Sequence, residues 1–89
     1  MKSHADGKFW ALYNALPKET QELADQCFHL FSADPHHSSL HFKALTGEIW
    51  SAHVGAHYRA LAIREADCWL WFWIGPHEAY NGIVRRLGR

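Results

Sequence analysis

Apolar residues recur along this chain with two different periods. Phe9, Trp10, Leu12, Tyr13 and Leu16 fall at helical spacing and predict a short first helix after a polar lead-in over residues 1–7. Pro17 suits the first turn of a second helix, and Glu19 and Glu22 suit the positive end of its dipole. Leu23, Ala24, Cys27, Phe28, Leu30 and Phe31 give that helix a wide apolar stripe. It is expected to stop near Asp34-Pro35, because the residue before proline avoids helical angles. The two helices read as a hairpin.

After a loop from His36 to Ser39 the period shortens. Leu40 to Leu45, Ile49 to Val54, His57 to Arg64 and Cys68 to Ile74 read as four strands. Thr46-Gly47, Gly55-Ala56 and Glu65-Ala66-Asp67 supply the turns. The run CWLWFWI is apolar on both faces, so the fourth strand is expected to be covered on both sides. Trp69, Trp71 and Trp73 read as one strand face, assigned to the core or to a partner contact. Gly75-Pro76 ends the strand and Pro76 starts a last helix, with Tyr80, Ile83, Val84 and Leu87 inward. Arg85, Arg86 and Arg89 lie at its C-terminal end, where cations suit the dipole. Helices followed by strands indicate an α+β domain spanning residues 1–89: a two-helix hairpin on a four-stranded curved antiparallel sheet, with a C-terminal helix.

Composition narrows the function classes. Of 89 residues, 15% are aromatic, which argues against disorder. Nine Lys plus Arg balance nine Asp plus Glu, so the bulk charge does not favour nonspecific nucleic-acid binding. Eight His add a positive charge that develops on mild acidification. No segment reaches the roughly 18–20 apolar residues of a membrane span, and MKSHADGKFW lacks the apolar run of a signal peptide. The expected location is the cytoplasm. Cys27 and Cys68 lack C-x-x-C spacing and read as buried reduced thiols.

Three segments, ADPHHSSLHFKAL, IWSAHVGAHYRALAIRE and WFWIGPHEAYNGIV, together with the LPKETQELA helix, resemble the RelE/ParE superfamily of type II toxin–antitoxin toxins. The similarity runs from about Phe9 to Val84. It implies two helices on one face of a curved sheet, and an antitoxin that wraps the toxin and blocks its site. It also implies mRNA cleavage on the ribosome, without metal or other cofactor, by attack of the 2′-hydroxyl on the adjacent phosphate to leave a 2′,3′-cyclic end. A ParE-like branch inhibits DNA gyrase instead, and a degenerate member would retain only antitoxin binding. Self-association through exposed apolar surface is a further expectation.

Cleavage of this kind needs a base, cations for the phosphate and an acid for the 5′-oxygen. The resemblance assigns Arg59, in Y-R-A-L, to the phosphate; the alternative is a strand arginine paired with a carboxylate. It assigns His77, in the first turn of the last helix, to proton transfer; the alternative is a loop histidine satisfied by backbone. Tyr80 shares a helical face with His77 and either positions substrate or anchors the helix. His53 stands where similar sequences carry arginine. The change removes a permanent charge and reads as a weakened or an introduced variant, though histidine can still act as a base or a part-time cation. Lys43 is a candidate cation near the sheet edge, or simply a solvated lysine. His36, His37 and His41 match no established zinc spacing and are read as loop histidines that cap, pack or contact RNA.

Overall fold

The computed structural model describes residues 2–87, so Arg89 lies outside the described residues. The elements run β1 (Lys2–Ala5), α1 (Gly7–Asn14), α2 (Lys18–Ala33), a 3₁₀ turn (Ser38–Leu40), β2 (Lys43–Thr46), β3 (Ile49–Val54), β4 (Tyr58–Glu65), β5 (Cys68–Pro76) and α3 (His77–Leu87). Asp6 starts α1, its Oδ1 accepting from the Phe9 N–H at 2.8 Å. Pro17 sits one residue before α2, where its missing N–H costs no helical bond.

The sheet has five strands in the order β1-β5-β4-β3-β2, not the four expected. The difference lies in the first residues. Instead of a polar lead-in, Lys2–Ala5 pairs with Cys68–Trp71 and is parallel to it, so the sheet is mixed. The remaining four strands form the antiparallel meander predicted. β5 is covered by α1 and α2 on one face and by α3 on the other, which accounts for its continuous apolar run.

One face of the sheet carries Ala52, Val54, Ala60, Ala62, Trp69, Trp71 and Ile74, and α1 and α2 cover it with Phe9, Ala24, Phe28 and Phe31. Edge-to-face aromatic contacts tie the layers: the Trp71 ring lies 5.2 Å from both Phe28 and Phe31. Cys27 and Cys68 are free thiols, each half-buried. Burial pushes the Cys27 thiol above its ordinary pKa, partly offset by a hydrogen bond from the Gly55 backbone.

The opposite face carries the site. Ser51, His53, Arg59, Leu61 and Ile63 alternate onto it, since Ser51 pairs with Leu61 and His53 with Arg59. Trp73 joins them. A register shift between Leu61 and Ala62 pairs Leu61 with Trp73 and Ala62 with Trp71, leaving Phe72 as an extra residue. This bulge separates Trp73 from Trp69 and Trp71, correcting the single tryptophan face read from simple alternation. α3 lies over the same face, held by Tyr80, whose hydroxyl donates to Ser51 Oγ at 3.2 Å.

Candidate functional site

His53, Arg59 and Gly75 stand side by side on β3, β4 and β5 at the end of the sheet where α3 begins. Two loops complete the site. On one side the chain leaves the 3₁₀ turn through His41, which adopts a left-handed conformation (φ 45°) while its N–H bonds the Ser38 carbonyl at 3.3 Å. This bend sends Phe42 into the aromatic core, 4.9 Å from the Phe31 ring, and puts the His41 imidazole on His53, with ring centroids 4.4 Å apart and planes 31° apart. Lys43 follows on β2, paired with Ser51 and so on the site face. On the other side β5 runs directly into α3, and the His77 N–H donates to the His57 carbonyl at 2.8 Å.

Arg59 is 9% exposed, and among the described residues no carboxylate pairs with it. Its Nη1 donates to the carbonyls of Ala56 (3.2 Å) and Tyr58 (2.8 Å). Among the described residues Nε and Nη2 have no protein partner, and neither is sealed from solvent. A guanidinium braced on one nitrogen, with the others free, is suited to bind an oxyanion. Among the described residues the carboxylate-paired alternative weighed for this arginine is not observed.

His53 senses nearly every basic group of the site. Its pKa is lowered from 6.5 to about 4, first by burial and then by the charges of Arg59, His41, Lys43 and His77. It is therefore neutral at neutral pH. The part-time cation expected at this position is absent there, and an imidazole able to accept a proton remains. Lys43 and Arg59 are the permanent charges beside it.

His77 is exposed at the first residue of α3, beside backbone N–H groups that no helical carbonyl satisfies. Its ring centroid is 6.1 Å from that of Tyr80, with planes 23° apart. Tyr80 itself is 8% exposed and its hydroxyl is engaged by buried Ser51. It anchors α3 and backs His77 rather than presenting a free face. His57, Tyr58, Pro76, His77 and Glu78 line a shallow cleft at this end. The structure thus brings His53, Arg59, Lys43, His77 and Tyr80 to one end of one sheet face.

His41 belongs with these residues and was not singled out as one of them. Its two-residue spacing from Lys43 is the one signal in the sequence, and a loop reading masks it. His37 acts as a cap, its Nδ1 accepting from the Ser39 N–H at 3.3 Å. Among the described residues, no three His, Cys, Asp or Glu side chains come together in a set able to hold a metal ion. No helix in that range is long and apolar enough to cross a membrane.

Comparison with known proteins agrees with this architecture. A YoeB/ParE toxin from Agrobacterium tumefaciens superimposes with a TM-score of 0.67 at 15% identity, covering 86% of this chain and 99% of that one. A copper-bound mutant toxin from Helicobacter pylori superimposes with a TM-score of 0.61, also at 15% identity, covering 89% and 97%. At such identity the likeness establishes the fold alone. No curated sequence relative matches. The family described as the ParE-like toxin domain matches residues 18–82, which include the α2 stripe, the meander and the start of α3. The chain therefore belongs to the ParE-like toxin domain family, among the type II toxins of the RelE/ParE superfamily.

Proposed function

We propose that this toxin is an endoribonuclease that cleaves mRNA on the ribosome through the 2′-hydroxyl. The observation that carries the reading is the convergence of His41, Lys43, Arg59 and His77 on a neutral His53. A surface that only docks on a protein target has no need for proton-transfer groups beside a phosphate-binding arginine. Arg59 receives the phosphate on its free Nε and Nη2, where it stabilises the charge that grows as the fifth oxygen arrives. Lys43 adds a second positive charge at the sheet edge. His77, exposed at the helix start, delivers a proton to the departing 5′-oxygen. Tyr80 fixes the start of α3 through Ser51 and so fixes His77.

Membership of the family implies a cognate antitoxin. Trp10 and Leu23, 47% and 41% exposed, offer it apolar surface on the helical face.

The test is primer extension on a reporter mRNA in a translating extract, with and without ribosomes. Ribosome-dependent cuts that disappear in His77→Ala and Arg59→Ala support the reading. Gyrase-dependent DNA breaks without RNA cuts would transfer the chain to the gyrase-inhibiting branch. Neither activity, with antitoxin binding intact, would mean a degenerate toxin.

A further inference from the structure

Cleavage as proposed leaves one role unfilled, that of the group which takes the 2′-proton. We propose that His53 is this acceptor and that His41 is a positioning residue, whose ring, packed against the His53 imidazole, holds it in place for the transfer. The inference rests on the nuclease reading of the same site.

Three features of the fold carry it. First, the His41 ring lies on the His53 ring, with centroids 4.4 Å apart and planes tilted by 31°. Second, this ring contact is made by a backbone conformation unusual for a side-chain-bearing residue. His41 holds φ at 45°, secured by its N–H to Ser38 and by Phe42 in the aromatic core. Such a conformation persists only where its surroundings determine it, and here it sets a single side chain against His53. Third, the groups whose charges His53 senses are all basic: His41 after the 3₁₀ turn, Lys43 on β2, Arg59 on β4 and His77 on α3. Burial first, and then these charges, disfavour its protonated form, and no acidic group offsets them in that set. Arg59 is its direct cross-strand neighbour, so a phosphate on Arg59 lies beside the acceptor.

The step balances without any further reactant. The neutral imidazole takes the 2′-hydroxyl proton as the 2′-oxygen forms its bond to phosphorus. The bond from phosphorus to the 5′-oxygen breaks, its electron pair staying on that oxygen, which takes a proton from His77. His53 ends protonated and His77 neutral, and exchange with water resets both.

The test compares the parent with His41→Ala, His41→Phe and His53→Arg in two assays. Titration of the His53 ring followed by NMR requires no RNA. It is expected to show a midpoint near 4 in the parent, little changed in His41→Phe and moved up toward 6.5 in His41→Ala, where the ring is uncovered. Single-turnover RNA cleavage is expected to fall about tenfold or more in His41→Ala, a fraction of the roughly 10²–10⁴-fold that a general base supplies. Substrate affinity should be nearly unchanged, and the acid limb of the rate profile should move up with the NMR midpoint. His41→Phe, which retains an aromatic ring against His53, is expected to restore most of the rate. His41→Ala with parental titration and parental cleavage would overturn the proposal. So would His41→Phe as slow as His41→Ala, or His53→Arg cutting faster than the parent. If the parent cuts no RNA, the nuclease reading fails, and the NMR arm still reports whether His41 sets the state of His53.

Discussion

Mild acid should destabilise this protein through one identifiable residue. His53 titrates near 6.5 in the unfolded chain and near 4 in the fold, where burial and four basic neighbours oppose its protonation. Between those values the unfolded state binds more protons, so stability falls as the pH falls. The contribution is complete above pH 6.5 and is lost progressively toward pH 4. A difference from 6.5 to about 4 corresponds to about 3 kcal/mol at most. His53 retains contact with solvent, and screening reduces the expected loss to about 1–2 kcal/mol. The assay is urea denaturation at several pH values between about 7.5 and 4.5, run in parallel on the parent and on His53→Asn. The other histidines titrate in both proteins, so the difference between the two curves isolates His53. Relative to His53→Asn, the parent should lose about 1–2 kcal/mol across this range. Curves that stay parallel would show that the site does not oppose the proton, and would remove the argument for a neutral His53.

Three further substitutions test the packing that holds the site. Tyr80→Phe loses the hydroxyl bond to buried Ser51 and should cost about 1 kcal/mol, a fall in Tm of about 4–8 °C; an unchanged Tm would mean the bond is not formed in solution. Gly75→Ala brings a Cβ to 2.7 Å from Trp73 Cζ2 and 2.8 Å from Cη2, so the indole must move. It should cost about 1–3 kcal/mol and alter the tryptophan emission, and an unaltered spectrum would count against this packing. Asp6→Ala removes the cap on the Phe9 N–H and should cost about 1 kcal/mol, whereas Asp6→Asn should stay near the parent; equal losses would point to charge rather than capping.

What the sequence disclosed, and what it hid, follows from the range of the interactions involved. The α2 stripe and the three hairpins are written in local periodicity and turn residues, and the structure reproduces them. Ile49–Val54 agrees to the residue. β1 was invisible because Lys-Ser-His-Ala has neither alternation nor β-branched residues; its partner is a free edge on β5, more than sixty positions away. Trp73 was misplaced for a related reason. A bulge adds one residue to a strand without any local marker, and every side chain beyond it changes face. That shift puts Trp73 and Gly75 with Arg59 instead of with the core.

The candidate site shows the same division. Arg59, His77 and Tyr80 were found through a family resemblance and not through their spacing, which allowed a plain structural reading of each. For Tyr80 the structure supplies much of that plain reading, since its hydroxyl is engaged and its ring buried. The balanced net charge was likewise a whole-chain average. Glu19, Glu22 and Asp25 lie on α2, which covers one face of the sheet, whereas Lys43 and Arg59 with His41, His53 and His77 gather on the other. An anion approaching that end meets the local field and not the sum. Charge neutrality therefore weighs less against RNA than it did in the bare sequence. The replacement of arginine by His53 also changes meaning. In isolation it is a lost cation; beside Arg59, Lys43 and the His41 ring it is an imidazole whose protonation is opposed by burial and by the surrounding charge.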